Sequence, residues 1–276
     1  MNIFGYMKLK RKYTYPLLVI LFTIGYLLFE KYANGQLDKP QVEAGKTYKA
    51  DTNTYFLPSS TTGQVVHHNY YSLSYAEAHE QAEWVAYELK KDQVLNSDFK
   101  RPYFEIDPAV KTKSAHWRNY KSSGYDRGHL CPAADREFSW EAYHETFLTS
   151  NISPQRHNFN AGIWNRLEQQ VRRWAKKHDG IFVVTAGVLN DPMDVIGSEA
   201  VSVPKAFYKI LYDRSNGDTH MIAFLIPHQE TDAHWREFAV TIDELERQTG
   251  IDFFPKLEDS EEEKLEAVID RKFWGL

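Results

Sequence analysis

Hydrophobic positions fall into three rhythms along the 276 residues. The first is an unbroken run. Residues 13–29 carry no charge and follow a basic cluster from Lys8 to Lys12. As a helix this run would rise ~26 Å at ~1.5 Å per residue, near the lower limit for crossing a bilayer. Tyrosines sit towards both ends, and the basic flank should stay in the cytoplasm. No small-x-small cleavage site follows Phe29 directly, so an uncleaved signal anchor is the favoured expectation and a cleaved signal peptide the alternative. Residues 1–12 are then a basic cytoplasmic segment and 13–29 a transmembrane helix. The polar stretch 30–53, with Gly35, Pro40 and Gly45, is a linker. This predicts a membrane-anchored chain with an extracytoplasmic domain.

The second rhythm is helical. From Tyr75 to Lys91 the residues Ala78, Ala82, Val85 and Leu89 recur at helical spacing and predict an amphipathic helix, with Trp84 and Tyr87 as core. Trp164, Leu167, Val171 and Trp174 predict another. Thr241, with Glu244 three residues on, forms a capping signal for a helix that Gly250 ends. Ser260 to Lys272 reads as an acidic surface helix. The third rhythm belongs to strands. Ile181 to Ala186 is a short apolar β-branched run, Val203 to Tyr212 and His220 to Ile226 flank a turn-rich stretch, and Thr54 to Leu57 and Val65 to His68 are shorter candidates.

Charge changes the picture in one place. The net charge of −5 argues weakly against a nucleic-acid partner. Between Asp98 and Lys177, however, Lys and Arg outnumber Asp and Glu, whereas the tail from Glu258 to Leu276 is acidic. A basic middle on an acidic body suits a phosphate backbone, and an ordinary mixed surface would also account for it. Cys131 is the single cysteine, which excludes an intrachain disulfide and a cysteine-rich zinc site.

The basic middle also holds the chemistry. Gly124-Tyr-Asp-Arg-Gly-His129 offers an imidazole as general base, an arginine fork for phosphate, and Gly128 to let the backbone turn. Asn160, at the opening of the Trp164 helix, could be a hard ligand for Mg²⁺ or simply a helix cap. Glu168 lies ~12 Å further along a regular helix, too far to share the inner shell of one ion, and could hold metal-bound water or pair with Arg172. His67 and His68 read as strand or surface residues.

Tyr125-Asp-Arg-Gly-His-Leu130, Glu145-Thr-Phe-Leu-Thr-Ser-Asn-Ile-Ser-Pro-Gln155, Asn160 and Trp164-Asn-Arg-Leu-Glu168 together resemble the DNA/RNA non-specific endonuclease family, of the ββα-metal (His-Me finger) superfamily. Outside them, Val203-Pro-Lys-Ala-Phe-Tyr-Lys209 and Thr249-Gly-Ile-Asp-Phe-Phe-Pro255 are similar to its scaffold. The resemblance covers roughly residues 55–257. It implies an α+β fold, with a central, mostly antiparallel sheet flanked by helices and a ββα-metal finger as active site. The nuclease domain is then residues 54–257 and the acidic C-terminal helix 258–276. It implies a Mg²⁺-dependent endonuclease (Mn²⁺ could substitute) that hydrolyses DNA and RNA through the phosphate backbone. His129 would be the base, Asn160 the metal ligand and Glu168 the carboxylate near the metal-bound waters. Arg127, Asn151, Arg172 and, on looser spacing, Arg101 would support the substrate. Asp126 would anchor the loop. Cys131 departs from the family's usual small residue and reads as neutral packing. A homodimer is compatible with this reading. The alternatives are a catalytically silent nucleic-acid-binding or surface module on the same fold, the same finger on another phosphodiester substrate, and a histidine metal site from His144, His157 and His178.

Overall fold

A computed structural model of the chain describes residue 16 and residues 19–26, 54–190, 192–214 and 218–276. Two compact units are present, Met1–Lys39 and Pro40–Leu276. In the first, residues 19–26 are helical. Among the described residues no helix is long and apolar enough to cross a membrane. The expected membrane anchor is corrected on that finding. The remainder of 13–29, the basic segment 1–12 and the linker 30–53 lie outside the described residues.

Among the described residues, the second unit is built on an antiparallel sheet of seven strands. They are β1 (Val65–His67), β2 (Ser72–Ala76), β3 (Gln81–Lys90), β6 (Gly180–Gly187), β9 (Ala206–Asp213), β10 (His220–Pro227) and β11 (Ala239–Val240), neighbours in that order. The class is α+β. Strand β6 arises where the sequence predicts it, because Ile181 to Ala186 is apolar except for Thr185 and both its faces are covered. It pairs with β3 (Val85 opposite Thr185) and with β9 (Val184 opposite Ile210). On one face lies the helix α2 (Asn165–Lys177), which buries Leu167, Val171, Trp174 and Ala175. Tyr208 and Tyr212 meet Phe253 and Phe254 at ring separations of 5.4 Å.

Three sequence expectations are corrected here. The helix expected over Tyr75–Lys91 is instead the end of β2, one 3₁₀ turn (Glu77–His79) and β3. Glu80, at φ 54°, takes the left-handed conformation that turns the chain into β3. Ala82, Val85 and Leu89 fit a helical period, but β3 is buried on both faces, so Trp84 and Tyr87 are buried alongside them. Thr54 to Leu57 is irregular rather than a strand. The tail is two short helices, α4 (Asp259–Glu266) and α5 (Arg271–Trp274), not one surface helix. Trp274 ties the second into the core, its indole donating to the Met221 carbonyl at 3.1 Å. The helix α3 (Ile242–Thr249) starts and stops as expected: Thr241 accepts from the Glu244 amide and Gly250 closes it in the left-handed conformation.

The finger is appended to this scaffold. A two-stranded sheet pairs β4 (Asp126–His129) with β5 (Ile152–Gln155), His129 opposite Ile152, and another pairs β7 (Asp194–Ile196) with β8 (Val201–Val203). The chain continues through a helical turn (His157–Phe159) and a π-type turn (Asn160–Trp164), irregular at Gly162, into α2. Between the finger strands lies the helix α1 (Trp140–Glu145).

Candidate active site

Side chains alternate along a strand, so Arg127 and His129 share one face of β4. Both meet the ring of Phe104. The Arg127 guanidinium stands 4.9 Å from its centroid and the His129 ring 5.6 Å. Phe147 closes on the imidazole edge-to-face at 4.9 Å. Arg101, exposed, caps both rings at 5.4 Å from Phe147 and 5.7 Å from Phe104. The structure therefore gathers His129, Arg127 and Arg101 around two phenyl rings. Burial, with Arg101 adding to it, lowers the His129 pKa to about 3, so the imidazole is neutral at physiological pH. Its Nε2 and the Arg127 Nε are buried without a hydrogen-bond partner. A buried polar atom calls for a partner, which a water, an ion or a substrate can supply.

Gly128 faces away from that pair, and its role differs from the expected turn. It is an ordinary strand residue whose missing Cβ makes room for the Gln155 side chain. A methyl group there would overlap the Gln155 amide carbon.

At the other end of β4, Asp126 accepts from the Asn160 side-chain amide and contacts His157 Nδ1, each at 3.0 Å. Asn160 is thus not the N-cap of the helix that follows it. Its nitrogen is committed to Asp126, which leaves the carbonyl oxygen as the end that can meet a cation. A neutral hard oxygen held by a carboxylate outside the inner shell fits a Mg²⁺ ion that keeps most of its water.

Glu168, half-buried on α2, lies in the field of Lys209 and Arg172. Burial pushes its carboxyl up to about 7 against the pull of those two cations. The expected Glu168–Arg172 pair is not the one that forms. Arg172 donates to the fully buried Asp135 at 2.8 Å, and Asp135 also accepts from the Tyr87 hydroxyl at 2.8 Å. Lys209, fully buried on β9, donates to Thr185 at 3.1 Å and stands 4.8 Å over the Trp164 ring.

Asn151 is placed differently from Arg127 and His129. Its side chain is fully buried, accepting from the Cys131 amide at 2.8 Å and donating to the Cys131 and Thr146 carbonyls. It splints the chain leaving β4. Cys131 is buried, and its thiol is pushed up to about 12 by that burial, which makes it a packing group. The histidines of the alternative metal site do not converge: His144 lies by Trp140, His157 by Asp126 and His178 by Phe273.

Sequence reasoning missed Phe104, Phe147, Asp135, Lys209 and His228. His228 is buried, holds the Pro204 carbonyl through Nδ1 and accepts the Arg156 amide at Nε2, both at 2.7 Å, which pins the entry of the finger helix to the sheet. None of the five carries a local signal, because each is defined by partners far away in sequence.

The DNA/RNA non-specific endonuclease family matches residues 49–260. "Nuclease EXOG, mitochondrial" of Xenopus laevis is 34% identical over 220 residues, covering 73% of this chain and 60% of the frog protein. "Nuclease" of Nostoc sp. is 32% identical over 219 residues, covering 73% of this chain and 77% of its own length. A solved structure described as "Crystal structure of the EndoG/EndoGI complex: Mechanism of EndoG inhibition" superposes with a TM-score of 0.66 at 30% identity, over 71% of this chain and 87% of that one. The chain thus spans about three fifths of the frog relative's length. The frog relative is named mitochondrial, which, with the membrane finding above, corrects the expected extracytoplasmic, membrane-anchored placement.

Proposed function

This chain belongs to the DNA/RNA non-specific endonuclease family, and from that premise we propose that it is a nuclease hydrolysing phosphodiester bonds of DNA and RNA with His129 as general base. The observation that carries the reading is the environment of His129: neutral, enclosed by Phe104 and Phe147, with an unpartnered buried Nε2 and two arginines beside it.

In this reading His129 accepts the proton of a water as its oxygen attacks phosphorus. Arg127 and Arg101 hold the non-bridging oxygens, and the phenyl rings keep both guanidiniums in place. The bond from phosphorus to the 3′ oxygen breaks and leaves a 5′-phosphate end. Asn160 would hold a divalent ion, Mg²⁺ with Mn²⁺ as substitute, with Asp126 orienting its amide. When bound, that ion supplies charge stabilisation for the phosphoryl oxygens and the departing 3′ oxygen. Glu168 orients water near it, and Arg172, held by Asp135, supplies a positive field to Glu168 from one turn along α2. Asn151 acts through Cys131, by holding the β4 exit, rather than on substrate. Contacts to the backbone carry no sequence information, so little base preference is expected.

The test is nicking of supercoiled plasmid by the full chain with Mg²⁺ or with EDTA, beside His129→Ala and Asn160→Ala. Metal-dependent nicking that both substitutions abolish sustains the reading. Undiminished nicking by His129→Ala removes the base assignment. A folded wild-type chain that binds DNA without cutting it would be a silent binding module.

A further inference from the structure

Away from the finger, α3 presents Asp243 and Glu246, separated by one helical turn, to the end of α4, where Glu266 lies. One carboxylate oxygen from each of the three lies within 4.8 Å of the others. Glu266 is only 5% exposed, and its Oε1 is buried without a hydrogen-bond partner. The charged groups that act on it most strongly are all acidic: Glu246, Glu262, Asp243 and Asp252. Glu246 is held in place, since its Oε1 accepts the Phe253 amide at 2.9 Å. Burying a carboxylate among other carboxylates is unfavourable unless a proton or a cation neutralises it.

We propose that Asp243, Glu246 and Glu266 form a Ca²⁺ site that clamps α4 to α3, separate from the active site. Oxygens at Ca²⁺ bond lengths of ~2.3–2.6 Å from one ion stand at most about 5 Å apart, a limit the three meet. Three carboxylates in a partly enclosed, irregular set suit Ca²⁺. Mg²⁺ demands near-ideal octahedral geometry and keeps its water. Glu262 and Asp252 add negative field around the ion. The clamp joins the C-terminal helices to the scaffold at a point where like charges would otherwise repel. Beyond it, the chain runs on to Trp274, which is buried against Trp174.

The experiment uses the full chain carrying Asn160→Ala, so that an active-site ion does not contribute. Ca²⁺ alone is titrated by calorimetry, and thermal unfolding is followed with Ca²⁺ or with EDTA. Expected are one Ca²⁺ per chain, a rise in Tm, and affinity for Mg²⁺ at least tenfold weaker. Asp243→Asn, at a partly exposed position where folding is safe, should weaken Ca²⁺ at least tenfold and abolish the Tm rise, and Glu266→Gln should do the same. Absence of Ca²⁺ binding, or binding unchanged in Asp243→Asn, overturns the site. Equal affinity for Mg²⁺ overturns the choice of ion.

Discussion

Asp126 and Asn160 are joined by a 3.0 Å hydrogen bond from the asparagine amide to the aspartate carboxylate. It connects the finger's first strand to the turn that opens its helix, and it decides which end of the amide remains for an ion. Asp126→Ala should leave the fold intact, since the side chain is partly exposed, and raise the Mg²⁺ concentration needed for half-maximal nicking about 10–100-fold. Nicking rate against Mg²⁺ concentration checks this. An unchanged metal requirement would separate Asp126 from metal binding.

The His129 imidazole should remain neutral well below the usual histidine range, and NMR of its ring protons across pH 3–8 reads this directly. The folded pKa, about 3, lies below the ordinary 6.5, so the unfolded chain protonates first. The stability it contributes is therefore present above 6.5 and lost as pH falls towards 3. Phe147→Ala opens the cage to water and should move the titration back towards 6.5, bringing an acid limb into kcat/KM.

Asp135→Ala leaves the Arg172 guanidinium buried without its carboxylate and the Tyr87 hydroxyl without its acceptor. A loss of about 3–5 kcal/mol in urea unfolding is expected. Replacing Asp135 and Arg172 together by apolar residues should cost less than Asp135→Ala alone, because no uncompensated charge remains.

Gly128→Ala places a methyl group on the Gln155 side chain and should destabilise the chain by about 1–3 kcal/mol. Because β4 carries Arg127 and His129, nicking should fall with it. Adding Gln155→Ala removes the overlapping atoms and should restore most of the stability. Chemical denaturation of the single and double variants tests the pair.

In EDTA, Glu266 makes stability fall with rising pH. Its folded pKa is raised from 4.5 to about 8, by burial first and then by its acidic neighbours. The contribution is fully present below 4.5 and lost as pH rises through 8. Glu266→Gln should flatten the midpoint of urea unfolding between pH 5 and 8. A wild-type midpoint that does not change over that range would mean the carboxyl is already ionised.

Where a few consecutive residues decide the outcome, the chain is legible from its letters. Ile181 to Ala186 is apolar except for Thr185 and forms β6; Thr241 and Gly250 bracket α3; the spacing from Tyr125 to Glu168 carries the family and the finger. Tertiary structure decided what depends on distant partners. The residues of β3 satisfy a helical period, yet pairing with β2 and β6 on either side makes them a strand. Arg172 has a carboxylate one turn away in sequence, yet binds Asp135, which the fold buries beside it. Phe104 and Phe147 become the walls around His129 only when their loops close over β4. Local pattern fixes backbone preference and spacing. Burial, and with it protonation and choice of partner, depends on segments that meet only after the whole sheet has formed.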